Sequence, residues 1–276
     1  MTTATVQLND GTEMPRIGFG TNVLQGSTGV NAIRIALDSG YRLIDTAQSY
    51  DNEREVGQAI AESAVPREEL YITTKITDQN QGYYKTIESY ERSLEKLHLD
   101  HVDLLLVHWP NIQDFTRSIS TYRAILDLRE QGKVTSIGVS NYTPELIQQT
   151  IDATGDIPTV NQVEFHPFLF QEELLDYCQD NEIRIESYCP IARAERRENP
   201  LLQKLAKKYG KSTIQIILRW HLEHGLVPIP RSSDPEHIQE NISIFDFSLT
   251  SDEVRAMDGL DEDYRIIHPK KAPRSW

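Results

Sequence analysis

Short apolar runs alternate along the chain with longer segments in which apolar residues recur at helical spacing. Eight of the runs have the length of strands. They cover residues 17–20, 41–45, 70–75, 102–108, 134–139, 159–164, 184–188 and 226–229. Strands that alternate with helices in this way predict a parallel sheet joined by right-handed crossovers.

Eight successive strand–helix units predict an α/β fold, a closed (β/α)8 or TIM barrel. Neither a linker nor a change of composition interrupts them, so we expect a single domain over residues 1–276. The turn sequence Asn9-Asp10-Gly11 predicts an N-terminal β-hairpin at the bottom of the barrel. An open doubly wound sheet is the alternative, but residues 18–23 lack the third glycine of a dinucleotide-binding fingerprint.

Helix starts are readable at several polar residues. Asn52, with Glu55 three positions later, predicts a capping box at the start of one helix. Asp234 followed by Pro235 predicts the start of another, because proline is favoured at the first helical position.

The composition narrows the classes of partner. The net charge of −14 argues against a nucleic acid, whose phosphates need a basic protein face. No apolar run approaches the ~20 residues of a membrane span, and the first residues do not resemble a signal peptide. Cys178 and Cys189 lack metal-ligand spacing, so we expect a reduced, cytoplasmic protein. A monomer is the expected oligomeric state.

Polar side chains follow nearly every predicted strand at its carboxyl end. Asp45, Lys75 and His108 end the second, third and fourth runs, and Tyr50 lies five residues after Asp45. Taken singly, each has an ordinary structural explanation, such as helix capping, packing or solvation. Their joint occurrence favours a catalytic site, because a barrel of this type builds its active site at the carboxyl ends of its strands.

Eight motifs in order extend the pattern over nearly the whole chain. They are GFGT at 18–21, LIDTAQSYDNE at 43–53, ITTK at 72–75, LLVHWP at 105–110, IGVSNY at 137–142, NQVEFHP at 161–167, SYCP at 187–190 and IPRS at 229–232. With these motifs the sequence resembles the aldo-keto reductase family, and most of all its short bacterial members of the 2,5-diketogluconate and methylglyoxal reductase type.

The resemblance implies reduction of an aldehyde or ketone by hydride from NADPH. Tyr50 would be the general acid, and Lys75 would lower the pKa of its phenol, which is normally near 10. Asp45 would hold Lys75, and His108 would donate a hydrogen bond to the substrate carbonyl oxygen.

The resemblance also implies which residues hold the cofactor. Ser140, Asn141 and Gln162 would bind the nicotinamide carboxamide, and Tyr188 would stack on its ring. Arginine, hydroxyls and helix amides at 231–237 suit a phosphate, which favours NADPH. The full implied set is Gly20, Thr21, Asn22, Asp45, Ser140, Asn141, Gln162, Tyr188, Pro190, Ile191, Pro230, Arg231, Ser232, Ser233, His237, Glu240 and Asn241.

The substrate pocket departs from its relatives. Asn22 and Thr77 stand where many relatives have aromatic residues, which predicts a polar pocket for small dicarbonyls or keto sugars. The implied substrate-binding residues are Asn22, Tyr50, Thr77, His108 and Trp109. Tail residues Tyr264, Arg265 and Trp276 could reach over the site.

Two other functions compete with a reductase. A non-catalytic nucleotide-binding relative would keep the cofactor site and lose the four catalytic residues, all of which are present here. A metal-dependent hydrolase would need clustered ligands, whereas the strand ends offer one histidine, one aspartate and a competing lysine, so we predict no metal site.

Overall fold

The computed structural model describes residues 4–267 and contains a short antiparallel pair of strands and an eight-stranded parallel sheet. The pair is β1 (Thr5–Gln7) and β2 (Glu13–Pro15). The sheet consists of β3 (Gly18–Gly20), β4 (Leu43–Asp45), β5 (Tyr71–Ile76), β6 (Val102–Val107), β7 (Val134–Ser140), β8 (Val160–Glu164), β9 (Arg184–Tyr188) and β10 (Val227–Pro228). Each strand pairs in parallel with the next one along the chain, so the predicted succession of strands is confirmed.

Helices follow every strand of the parallel sheet. They are α1 (Gly26–Asp38), α2 (Glu53–Glu62), α3 (Tyr83–Leu97), α4 (Phe115–Glu130), α5 (Pro144–Thr154), α6 (Glu172–Asp180), α7 (Pro200–Tyr209), α8 (Thr213–Glu223), α9 (Pro235–Ile242) and α10 (Ser251–Asp258). Their apolar faces pack on the outer face of the sheet in one extended core. Within residues 4–267, none of the helices has both the length and the apolar character needed to cross a bilayer.

The first and last strands of the sheet meet through the backbone. Gly20 N–H at the end of β3 donates a hydrogen bond of 3.0 Å to the carbonyl oxygen of Pro230, just beyond β10. A Cβ atom at position 20 would lie 3.0 Å from the carbonyl oxygen of Ile229, so glycine permits this close approach. The contact closes the sheet into the predicted (β/α)8 barrel.

The N-terminal hairpin covers the end of the barrel opposite the carboxyl ends of the strands. Leu8 and Met14 pack with Leu43, Leu104 and Val160, which lie near the starts of their strands and face the barrel interior. The predicted position of the hairpin at the bottom of the barrel is therefore confirmed, and the carboxyl ends of the strands stay open for a site.

The capping role predicted for Asn52 is wrong. Its buried side chain accepts a hydrogen bond from Thr46 Oγ1 at 2.7 Å and donates one to the carbonyl oxygen of Thr21 at 2.7 Å. Glu55 binds the backbone N–H of Gly26 instead of completing a box. A buried polar side chain needs hydrogen-bond partners, and Asn52 finds them in the loops after β3 and β4 instead of at the start of its own helix. Asn52 thereby ties those loops together at the upper rim.

Candidate active site

The structure brings the four predicted catalytic residues together at the carboxyl end of the barrel. Asp45 is the last residue of β4, Lys75 lies one residue before the end of β5, and His108 follows β6 directly. Tyr50 ends a short 3-10 helix, Gln48–Tyr50, in the loop after β4. Neighbouring strands therefore present an acid, an amine and an imidazole to one place, and the loop adds the phenol.

Lys75 is a fully buried cation at the centre of this group. Its Nζ lies 2.7 Å from Asp45 Oδ1 and 2.6 Å from Asp45 Oδ2, and it donates to the carbonyl oxygen of Thr46 at 2.9 Å. A third contact, 3.3 Å long, reaches the hydroxyl of Tyr50. Burial is the largest single influence on Lys75 and acts to lower its pKa, but the electrostatic attraction of Asp45, Tyr50 and Glu186 and the hydrogen bond to Asp45 together outweigh it and hold the pKa of Lys75 above its ordinary value. The amine is therefore charged at neutral pH.

The phenol of Tyr50 is a weaker acid than the sequence suggested. Loss of hydration raises the pKa of Tyr50 to about 12, although the nearby Lys75 ammonium acts to lower it. The expectation of a net lowering by Lys75 is wrong for the protein alone, because burial of the phenol outweighs the attraction of one ammonium. The phenol therefore carries its proton at neutral pH.

His108 faces Tyr50 across the site. The two rings lie edge to face, with centroids 5.7 Å apart. Nδ1 of His108 lies 3.3 Å from Ser49 Oγ, and its backbone carbonyl oxygen accepts a hydrogen bond of 2.8 Å from Asn141 Nδ2. Sequence reasoning missed Ser49, although its position beside Tyr50 was a usable signal.

Asn141 connects His108 to the opposite side of the site. It adopts a left-handed backbone conformation, with φ of 67°, which asparagine tolerates well. Its Nδ2 donates to Ser140 Oγ at 3.0 Å as well as to His108, and its Oδ1 accepts from the Tyr188 hydroxyl at 2.8 Å. Both amide protons of Asn141 thus have protein acceptors, and the residue fixes the Tyr188 ring and the His108 backbone.

Gln162, whose backbone carbonyl oxygen accepts from the N–H of Asn141, joins two buried carboxyl groups. Its Nε2 donates to Asp45 Oδ2 at 2.8 Å and to Glu186 Oε2. Burial, reinforced by the charge of Asp45, raises the pKa of Glu186 to about 8. Sequence reasoning missed Glu186, yet it lies two residues before Tyr188 in a strand, and residues at that spacing share one face.

The segment after β10 carries the predicted phosphate-binding residues. Arg231 and Ser233 are exposed there and Ser232 is half-buried. The predicted start of α9 at Pro235 is confirmed, because the side chain of Asp234 accepts from the N–H groups of the second and third helical residues. These amides, expected to meet a phosphate, already have an acceptor, so that part of the expectation is wrong.

Two residues of the implied substrate pocket line the rim as expected, and one does not. Asn22 is exposed in the loop after β3, and Thr77 is half-buried after β5, where its N–H donates to Gln48 Oε1 at 3.1 Å. Trp109 is only 6% exposed, so little of its indole could face a substrate.

The remaining implied cofactor residues differ in exposure. Thr21, Pro190 and Asn241 are buried, and Thr21 Oγ1 donates to the backbone carbonyl oxygen of Asp45 at 2.9 Å. Ile191 and Glu240 are partly exposed within the described residues, 4–267. In that same part of the chain, no group of three or more histidine, cysteine, aspartate or glutamate side chains is arranged to hold a metal ion.

The C-terminal segment passes the end of β8, beside this site. The carboxylate of Glu164, the last residue of β8, accepts from the backbone N–H groups of Ile266 and Ile267 at 2.6 and 2.8 Å. Arg265 donates to Gln171 at 3.2 Å, and the ring of Tyr264 lies under the guanidinium of a loop arginine. Trp276, also predicted to reach the site, lies outside the described residues.

Comparisons with known proteins agree on one family. Residues 16–262 match the model of the Aldo/keto reductase family. The chain is 46% identical to 2,5-diketo-D-gluconic acid reductase B of Corynebacterium sp. over 93% of each chain. It is 43% identical to glyoxal reductase of Bacillus subtilis, over 95% of this chain and 94% of the relative. An aldo-keto reductase of Bombyx mori, solved in complex with NADP, superposes with a TM-score of 0.91 at 35% identity, over 97% of this chain and 96% of the other.

The buried ion pair yields a stability prediction. Asp45→Asn should lower the free energy of unfolding by about 3–5 kcal/mol, because it leaves Lys75 buried without its counter-charge. Urea unfolding at pH 7 measures the effect. The double variant Asp45→Asn/Lys75→Met, which removes both charges, should recover at least half of the loss. A single variant as stable as the parent would show that the pair does not matter to folding.

Proposed function

The chain belongs to the aldo/keto reductase family of oxidoreductases, and we propose that it reduces the carbonyl group of aldehydes or ketones to an alcohol with NADPH. One observation carries the proposal: Lys75 Nζ contacts both the Asp45 carboxylate and the Tyr50 hydroxyl, within the same rim that presents His108. This arrangement can deliver one proton to an oxygen atom bound between Tyr50 and His108.

The proposed reaction divides between the cofactor and the protein. NADPH, when bound, supplies a hydride to the carbonyl carbon. Tyr50 gives its proton to the carbonyl oxygen, and the product is an alcohol. The Lys75 ammonium stabilises the phenolate that remains, Asp45 keeps that ammonium charged and in place, and the phenolate recovers a proton from solvent. His108 orients the carbonyl oxygen and stabilises the charge that develops on it.

The residues opposite the catalytic group fit a nicotinamide. The N–H groups of a carboxamide need acceptors, and Ser140 Oγ and Gln162 Oε1 can supply them beside the ring of Tyr188. That ring is fixed by its hydrogen bond to Asn141, so it presents a steady flat surface. The Bombyx mori relative, solved with NADP, supports the same choice of cofactor.

The preference for NADPH over NADH depends on the segment after β10. Arg231 is exposed there beside Ser232, Ser233 and His237, and these side chains offer a guanidinium, two hydroxyls and an imidazole for a 2′-phosphate. The helix amides are bound by Asp234, so the preference relies on these side chains.

The proposed substrates are small and polar, such as dicarbonyls and keto sugars. Asn22, Ser49 and Thr77 place amide and hydroxyl groups around the rim. Relatives named glyoxal reductase and 2,5-diketo-D-gluconic acid reductase B fit this class. The single domain over 1–276, the monomeric state and the cytoplasmic location stay predictions.

The function is tested by removing the proposed acid. Tyr50→Phe should lower kcat for methylglyoxal about 100- to 10,000-fold, because no other group would supply the proton, while NADPH still binds. Absorbance at 340 nm measures turnover, and quenching of protein fluorescence measures binding. Tyr84→Phe, at a tyrosine that is 83% exposed, is the matched control and should change neither. Full activity in Tyr50→Phe would refute the mechanism, and a parent that binds NADPH but reduces no carbonyl would be a non-catalytic relative.

The cofactor preference is tested at Arg231. Arg231→Met should raise KM for NADPH at least about tenfold and leave KM for NADH nearly unchanged, because only NADPH carries the 2′-phosphate. Arg255→Met, on the exposed face of α10, serves as the control. Equal catalytic efficiency of the parent with both cofactors would contradict the preference.

The substrate class is tested with the parent protein alone. We expect kcat/KM for methylglyoxal and a small keto acid to exceed that for a bulky aromatic aldehyde by about tenfold or more, because the rim offers polar groups in place of aromatic ones. A panel assayed with saturating NADPH measures the order. Better turnover of the aromatic aldehyde would place the substrate in another class.

A further inference from the structure

Glu186 is a buried carboxyl group that the proposed mechanism does not use. It lies in the body of β9, where the strand register sets it beside Gln162 of β8. Its side chain is fully buried, and its Oε2 accepts a hydrogen bond from Gln162 Nε2. Its other oxygen, Oε1, is buried without a hydrogen-bond partner among residues 4–267. Burying a carboxyl group costs free energy, so a buried Glu186 beside the site is expected to have a specific role.

The contacts of Gln162 show what Glu186 can do. Burial raises the pKa of Asp45, but both of its carboxyl oxygens lie within 2.7 Å of the Lys75 ammonium and act as acceptors, so the Gln162 atom that faces Asp45 is the N–H donor. The second N–H proton goes to Glu186, so both protons of Nε2 are used. An amide is planar, and two acceptors on its nitrogen fix the direction of its oxygen. Gln162 Oε1 is then directed away from both carboxyl groups.

We propose that Glu186 is a positioning residue, which holds the Gln162 side chain so that Oε1 accepts a hydrogen bond from the nicotinamide carboxamide. If Asp45 were the sole acceptor, one N–H of Gln162 Nε2 would stay unpaired, and the side-chain amide could rotate about the remaining hydrogen bond. The proposal rests on NADPH being the cofactor, as argued above. It assigns Glu186 no contact with the substrate or the cofactor.

The charge around Glu186 fits this role. The groups that act on it are Asp45 of β4, Lys75 and Tyr71 of β5, and Gln162 of β8. Because its pKa is raised to about 8, Glu186 is mostly protonated at neutral pH. A neutral carboxyl group still accepts from Gln162, and it does so without a second negative charge beside the Asp45–Lys75 pair.

Two substitutions separate a hydrogen-bond role from a packing role. Glu186→Gln keeps the shape and an acceptor oxygen, whereas Glu186→Leu fills the space without an acceptor. Thr73→Val is the matched control, since Thr73 is buried in strand β5 of the same sheet and its Oγ1 has no hydrogen-bond partner within residues 4–267. Circular dichroism and thermal unfolding show whether each variant is folded, and Glu186→Ala is a second acceptor-free variant.

The experiment compares two dinucleotides by quenching of protein fluorescence. One is NADP+, and the other is its 3-acetylpyridine analogue, in which a methyl ketone replaces the carboxamide and its N–H groups. The parent, Glu186→Gln and Thr73→Val should bind the analogue at least about tenfold more weakly than NADP+, since the analogue can donate neither to Gln162 Oε1 nor to Ser140 Oγ. In Glu186→Leu and Glu186→Ala, where the contact with Ser140 is left but Gln162 is no longer held, the ratio should fall by about threefold or more. The adenosine fragment 2′,5′-ADP should bind equally to all five proteins.

Other outcomes overturn the role of Glu186. They are a parent that does not discriminate between the dinucleotides, acceptor-free variants that keep the parent ratio, and a Glu186→Gln variant that loses the ratio with them. The result is independent of turnover. If the parent and the variants show the expected binding ratios but the parent reduces no carbonyl, the proposed function alone is refuted. If the parent reduces carbonyls but the expected binding ratios are absent, the role of Glu186 alone is refuted.

Discussion

The buried ammonium of Lys75 is the interaction on which the upper half of the barrel depends. A charge removed from water is stable only if its partners replace the lost hydration. Here the partners are the Asp45 carboxylate, the carbonyl oxygen of Thr46 and the Tyr50 hydroxyl, all within 3.3 Å. They come from the end of β4 and the loop after it, so β4 and β5 must be in register before the charge is satisfied. A parallel barrel meets this condition, because its strands all end at one rim.

The same pair organises the rest of the site. Asp45 accepts from Lys75 on one side and from Gln162 on the other, and Gln162 continues to Glu186. A chain of hydrogen bonds therefore crosses the barrel interior from the proposed acid to the proposed nicotinamide site. The two halves are parts of one network, and a change of charge at either end acts on both.

Much of the architecture and the catalytic group could be predicted from the sequence, since apolar runs and their polar ends are local patterns. What could not be predicted depends on competition between distant partners. Asn52 has the sequence of a helix cap but binds the loops at the rim. The net pKa of Tyr50 is a balance between burial and one neighbouring charge, and neither magnitude can be read from the sequence. Glu186 falls within the body of β9, and nothing in the local sequence shows that it faces Gln162 and Asp45 across the barrel interior.

The seam between β3 and β10 affects when the barrel can be stabilised during synthesis of the chain. One backbone hydrogen bond, from Gly20 to Pro230, joins these strands. If the proposed function is right, Thr21 after β3 and Arg231 after β10 both bind the dinucleotide, so the ligand bridges the seam of the barrel. Thr21 is synthesised long before Arg231. A nascent chain therefore cannot be stabilised across this seam by its cofactor until Arg231 has left the ribosome.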